Sequence, residues 1–251
     1  MKSAKDVKLE TTFWKGIVTG DYGTGKSSFA ASFPTPGFVF DFDEGIELYR
    51  GKDFDYETFE RSPKGWVEFT KVQKEIAALA AGGKYKTIIL DSTTSMGDIA
   101  MARALQLDPN RSNEGGPVWN IHYSIQRNLM EPRLREFTTY PANVVVICHL
   151  KLDKDEKTGS IIAVNPLLVG QLAEKVPGYF GEVYLAFSKR TKDGKTEYVV
   201  RTQPRGLYKA RSRLSGLQRI LPEEFPNDYN IMMQYIKDAA LAEAGANNKT
   251  N

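Results

Sequence analysis

One cysteine in 251 residues excludes an internal disulfide, and with only two histidines beside it there are too few soft ligands for a zinc site. That cysteine, Cys148, lies inside the apolar run from Val144 to Leu150 and is expected to be a small buried hydrophobe rather than a redox group. Long apolar runs are also missing. None approaches the roughly 20 residues that cross a bilayer, and the start, Met1 to Asp6, has no apolar signal core. No internal repeat and no low-complexity tract interrupts the chain. These absences predict a protein of a reducing cytoplasm with no membrane span.

What is present is an ordinary globular composition, 41% hydrophobic and 26% charged, enough for one core with additions. The net charge is only +3, but it is unevenly spread. From Lys189 to Arg219 ten basic side chains meet two acids, Asp193 and Glu197, a local excess of +8. Such an excess suits a polyanion, either a nucleic-acid backbone or a neighbour's triphosphate, and equally suits a solvated basic face.

The most informative stretch is Gly20-Asp21-Tyr22-Gly23-Thr24-Gly25-Lys26-Ser27, behind the apolar run Trp14 to Thr19. It fits the phosphate-binding pattern G-x-x-x-x-G-K-[ST] with the strand that the pattern requires. Its glycines allow a nest of backbone N–H groups, and a following helix opening at Ser27 and Ser28 adds its positive end. Lys26 is expected to reach the β- and γ-phosphates of ATP, and the Ser27 hydroxyl to ligate Mg²⁺.

Further strands are expected at Gly37–Asp41, Thr87–Asp91 and Asn143–His149, with an edge strand at Asp53–Phe59. Helical spacing fills Trp66–Ala81, Met96–Leu107 and Val118–Phe137, where Pro132 predicts a kink or break. Strands at Val183–Phe187 and Glu197–Thr202 flank Asp193-Gly194, a strong hairpin turn, and Asp153–Gly159 reads as the tip of another hairpin. Asp228–Leu241 is an amphipathic helix, and Ala244–Asn251 a polar tail. The expected division is a lead-in over 1–12, an ATPase core over 13–225 and a C-terminal helix and tail over 226–251. The alternation predicts an α/β fold: a mainly parallel central sheet flanked by helices, with an added C-terminal antiparallel hairpin.

In such a sheet ligands bind beyond the C-terminal strand ends. Asp43 and Glu44 follow the second strand, Asp91 closes the third, and His149 closes the fourth. Asp91 has the pattern of the acid that holds the Mg²⁺ shell. Asp43 and Glu44 are the candidates to accept the proton of an attacking water, while Asp41 still belongs to its strand. His149 suits a γ-phosphate sensor or a buried structural histidine, and His122 a structural or exposed one.

The P-loop, Phe40-Asp41-Phe42-Asp43-Glu44-Gly45, the Ile-Ile-Leu-Asp-Ser around Asp91 and the Val-Val-Val-Ile-Cys-His ending at His149 together resemble the RecA-type ATPase core. The likeness is strongest to shortened members carried by bacteriophages, phage nucleotide-binding proteins or single-strand-annealing recombinases, and covers roughly Phe13 to Arg213. It implies a water-polarising acid at Asp43, with Glu44 one step off, and a sensor at His149. It also implies two basic residues, spaced i and i+2, that complete a neighbouring subunit's ATP site; Lys209, Arg211 and Arg213 offer that spacing twice. DNA-facing loops are implied at Asp108–Pro117 and Lys151–Asn165. The resulting expectation is a Mg²⁺-dependent ATPase that binds single-stranded DNA in phage recombination or annealing, as a filament or ring in the host cytoplasm. A phage single-strand-binding or replication protein is a possible partner. The alternatives are a nucleotide-gated loader of a replication complex, and a P-loop kinase of a small substrate whose thin support is Arg103 and Arg111.

Overall fold

The computed structural model describes residues 13–215 and 220–247. Its strands are β1 (Lys15–Gly20), β2 (Gly37–Asp41), β3 (Phe54–Thr58), β4 (Thr87–Asp91), β5 (Asn143–Lys154), β6 (Ile161–Pro166), β7 (Glu182–Arg190), β8 (Thr196–Arg201) and β9 (Glu224–Pro226). Its helices are α1 (Lys26–Ala30), α2 (Pro63–Ala81), α3 (Thr93–Leu107), α4 (Trp119–Phe137), α5 (Leu172–Tyr179) and α6 (Tyr229–Asn247). The sheet runs β3-β2-β4-β5-β1-β7-β8-β9, and β6 pairs with β5 off that path. From β3 to β7 every pairing is parallel; β7, β8 and β9 pair antiparallel. This is the α/β sheet expected, with the antiparallel hairpin on its C-terminal side.

Strand alternation divides the core between two faces. Phe38, Phe40, Ile88, Leu90, Val144 and Val146 point to one face, where α2, α3 and α4 deliver Phe69, Ile99 and Leu134. Val39, Ile89, Val145 and Ile147 point to the other, against Phe29 of α1 and Met232 and Ile236 of α6. The inner strands β2 and β4 are buried along their whole length, so they read as unbroken apolar runs, whereas edge strand β3 is largely exposed.

Several boundaries differ from the sequence reading. α4 continues through Pro132 without ending; the residue whose carbonyl loses its partner, Asn128, lies on the exposed side of the helix, where water can replace the lost donor. α6 runs to Asn247, through the start of the expected polar tail. β5 extends beyond His149, leaves the main sheet and pairs with β6, from Leu150 against Pro166 to Lys154 against Ile161. The expected tip closes this hairpin, with Gly159 at φ 68°. Two short elements were not expected: α5, which carries Pro177 and Gly178, and three-residue β9, which ends in Pro226. The 1–12 lead-in, Arg219 and the last residues of the tail lie outside the described residues.

Candidate functional site

β1 ends at Gly20, level with His149 of β5, and the chain turns through the P-loop into α1. Gly25 sits at φ 84°, and a Cβ there would meet Asn227 Nδ2 at 2.6 Å and Tyr198 Cδ1 at 3.1 Å. Gly20 is equally confined: a Cβ would lie 2.6 Å from both the Ala186 carbonyl and Thr24 Oγ1. The glycines thus serve both an unusual backbone turn and close packing. α1 is only five residues long, so the loop's own N–H groups supply most of the cradle. Lys26 is buried, and its Nζ donates to the Gly20 and Asp21 carbonyls at 3.1 and 2.7 Å. Burial lowers its pKa, an effect opposed by the charges of Asp91 and Asp21.

The loop forms one wall of a cavity of about 320 Å³ that also contains Ser28, Asp43, Leu48, Asp91, His149 and Tyr198. Asp91 is 6% exposed, and its Oδ2 accepts from the Tyr49 hydroxyl at 2.9 Å. Burial raises its pKa to about 6; hydrogen bonds from Ser27 and Tyr49 pull it down, and the charges of Asp43 and Asp41 push it up. Asp43 lies beside it, accepting from Ser92 Oγ at 3.0 Å. Burial alone would raise the Asp43 pKa, but His149, Ser95 and Ser92 around the carboxylate outweigh it and hold it below the ordinary value. His149 Nε2 is 3.8 Å from Asp43 Oδ2, too far for a hydrogen bond but close enough for charge to act. The imidazole also stacks on Tyr22 of the P-loop, ring centroids 4.4 Å apart, and its Nδ1 is buried without a protein partner.

Gly23, Thr24, Gly25, Lys26, Ser27, Ser28, Tyr22, Asp43, Asp91 and His149 therefore converge on one space. Gly20 lies beneath it, and Asp21 faces the neighbouring side of the loop. That side opens on a larger, mostly apolar cavity of about 580 Å³ between the β5–β6 hairpin and Arg205–Tyr208. It lacks Lys26, Asp43 and Asp91, which all line the smaller space. Glu44 does not join: at φ 57° it is exposed and does not line the cavity. Asp41 is buried within β2, bonded to Gly45 N and Thr58 Oγ1.

The basic residues expected to act on a neighbour are exposed and away from this chain's own cavity. Lys209 Nζ donates to Asn165 Oδ1 at 2.8 Å. Arg211 Nη2 donates to the Pro177 and Phe180 carbonyls at 3.0 and 2.7 Å, closing the end of α5, and Arg213 packs against Gly181. His122 is fully buried rather than exposed, its Nδ1 accepting from Val118 N at 2.8 Å. Arg111 donates to carbonyls of its own loop, and Arg103 bonds Gln106. Cys148 is buried as expected.

Sequence reasoning missed Tyr49. It closes a 3-10 turn, Ile46–Tyr49, directly after the Asp43 turn, and a lone tyrosine in a polar stretch gives no signal of its fully buried contact with Asp91. It missed Asn227 too, whose Nδ2 donates to the Gly25 carbonyl at 2.7 Å from 202 positions away. The Ser27 hydroxyl and Asp91 carboxylate are hydrogen-bonded hard oxygens. They suit Mg²⁺, which takes one or two protein oxygens and fills its shell with phosphate and water. No cluster of three or more His, Cys, Asp or Glu that could hold a metal occurs among the described residues.

No curated protein matches the chain. Similar solved structures include a KaiC-like protein from Pyrococcus horikoshii, 15% identical over 85% of this chain and 84% of that one at a TM-score of 0.42. Another is the flagellar accessory protein FlaH from Methanocaldococcus jannaschii, 9% identical over 75% and 76% at 0.36. No described helix is long and apolar enough to cross a membrane. The model of the AAA domain family AAA_24 matches residues 12–214, and the chain belongs to that family.

Proposed function

We propose that this chain is a Mg²⁺-dependent ATPase that binds single-stranded DNA in phage recombination or annealing. We further propose that it works as a homo-oligomer in which exposed basic residues near Lys209, Arg211 and Arg213 complete a neighbour's ATP site. The observation that carries the reading is the meeting of Lys26, Asp43, Asp91 and His149 around one cavity, at the C-terminal ends of β1, β2 and β4 and where β5 leaves the main sheet.

The roles follow from the local chemistry. Lys26, now held by two carbonyls, exchanges them for β- and γ-phosphate oxygens; its buried charge is worth more there than in water. Ser27 and Asp91 would hold Mg²⁺, which when bound would supply positive charge beside the phosphates. Tyr49 fixes the Asp91 carboxylate from behind. Asp43 stays ionised at neutral pH because its pKa is lowered. It therefore acts mainly by accepting a hydrogen bond from the attacking water and orienting it, since a weak base gains little from full proton removal. His149, stacked on Tyr22 and 3.8 Å from Asp43, would register the γ-phosphate.

The test is the steady-state rate of ATP hydrolysis with Mg²⁺, with and without single-stranded DNA, at low and moderate salt. Stimulation that fades with salt supports the reading, since phosphate contacts release counterions. Tight ATP binding with turnover indifferent to DNA would remove the DNA half and favour a nucleotide-gated loader.

A further inference from the structure

A further cavity, of about 290 Å³ and lined by both apolar and polar groups, opens between α3, α4 and the Leu167–Gly170 turn. Its volume is near the lower end of ligand pockets, roughly 300 Å³. Trp119 and Tyr123, one turn apart on α4, form its aromatic wall, with ring centroids 4.6 Å apart. Trp119 is 72% exposed, although an indole of that size usually buries most of its surface. Gln126, on the same stripe of α4, also lines the cavity and is 8% exposed. Its Nε2 donates to the Gly97 carbonyl at 2.8 Å, which fixes the amide orientation, and its Oε1 is buried without a protein partner. A buried acceptor left unpaired is costly. Asp98 adds a second acceptor to the lining, with Arg61 near enough to offset its charge.

The cavity calls for a flat apolar ring that carries hydrogen-bond donors. It also shares a wall with the nucleotide site. Thr94, in its lining, accepts from His149 N at 3.2 Å, and Leu167, also in its lining, donates its N–H to the His149 carbonyl at 2.7 Å.

We propose that this cavity receives one unstacked base of a single-stranded nucleic acid, stacked on Trp119 and bordered by Tyr123, whose ring is tilted 43° to the indole, with its amino group donating to Gln126 Oε1. The proposal rests on the DNA-binding half of the function proposed above and assigns it a place. Aromatic platforms of this kind bind single strands by stacking, alongside basic groups that track the backbone, and the unpaired acceptor favours a base that turns an exocyclic amine toward it.

The chain reports on its own cavity, because Trp14 and Trp66 are 6% and 4% exposed, which leaves Trp119 as the solvent-facing indole. The experiment titrates the full chain with 20-mers of dA, dC and dT at low salt, following tryptophan emission and, separately, oligonucleotide anisotropy. The expected result is quenching by dA or dC stronger than by dT. Trp119→Ala, an exposed substitution that leaves the core intact, should lose the signal and bind about 5- to 100-fold more weakly, as loss of one base–aromatic stack predicts. Gln126→Met should narrow the preference for dA and dC over dT. Binding by anisotropy with no emission change and an unaffected Trp119→Ala would overturn the cavity and leave DNA binding standing. Equal responses to all three oligonucleotides would overturn the Gln126 contact. No binding by any oligonucleotide would remove the DNA reading and the cavity's role together. Quenching by spermidine but not by oligonucleotides would make it a cation pocket and refute the proposal.

Discussion

Replacing Asp91 with asparagine should stabilise the nucleotide-free protein while removing its Mg²⁺-dependent function. Asp91 is 6% exposed, and burial lifts its pKa from 3.8 to about 6. For an acid whose pKa is raised on folding, the native state holds more protons than the unfolded state between the two values. Stability therefore falls as pH rises from 3.8 through about 6 and stays lowered above that. At 1.36 kcal/mol per pKa unit the cost at pH 8 is about 3 kcal/mol, and at pH 4 only about 0.5 kcal/mol. The Asp91→Asn side chain is never charged and can still accept from Tyr49. The variant should thus exceed the wild type by about 3 kcal/mol at pH 8, with the difference shrinking to a fraction of that at pH 4. Urea unfolding of both proteins in EDTA across this range measures it. A difference that does not change with pH, or a variant less stable at pH 8, would refute the reasoning that burial of the charge dominates.

Other substitutions separate the remaining roles. Lys26→Ala should abolish ATP binding measured by isothermal titration, since no other cation among the cavity's lining residues can replace it. Tyr49→Phe should raise the Mg²⁺ concentration for half-maximal binding of a fluorescent ADP and cost about 1–3 kcal/mol of stability, because a charge-assisted buried hydrogen bond is lost; an unchanged Mg²⁺ requirement would leave Tyr49 a purely structural residue. Arg211→Ala should loosen the end of α5, where two carbonyls lose their donor, again by about 1–3 kcal/mol in thermal or urea melts. If Arg211 also serves a neighbour, mixing Arg211→Ala with Lys26→Ala subunits should restore part of the ATPase rate; no restoration at native-like stability would confine it to α5.

Much of this was legible in the sequence because it was carried by short, local patterns. The P-loop glycines, the branched runs ending in Asp91 and His149, and the Asp193-Gly194 turn each specify their structure from neighbouring residues. The meeting of Asp43, Asp91 and His149 followed from one further rule, that parallel strands end together. What stayed hidden depends on long-range contact. Tyr49 reaches Asp91 across 42 positions and Asn227 reaches Gly25 across 202, and neither pair leaves a spacing signal. Glu44 and Asp43 could not be separated by type; the positive φ of Glu44 turns it outward. α5 was masked by its own Pro177 and Gly178, residues that ordinarily argue against a helix. The Trp119–Tyr123–Gln126 stripe resembled any amphipathic face until the exposure of Trp119 and the orphan Oε1 of Gln126 distinguished it.

ATP affinity and phosphate release, measured side by side for the wild type and Asp43→Asn at saturating Mg²⁺, decide whether the reaction takes place at Asp43. The two proteins should bind ATP alike, and the variant should release phosphate more slowly by about 100-fold or more, the loss expected when a water-orienting carboxylate is removed. A variant that hydrolyses ATP at the wild-type rate would contradict the placement of the reaction at Asp43, and a wild type that binds no ATP would contradict the site itself.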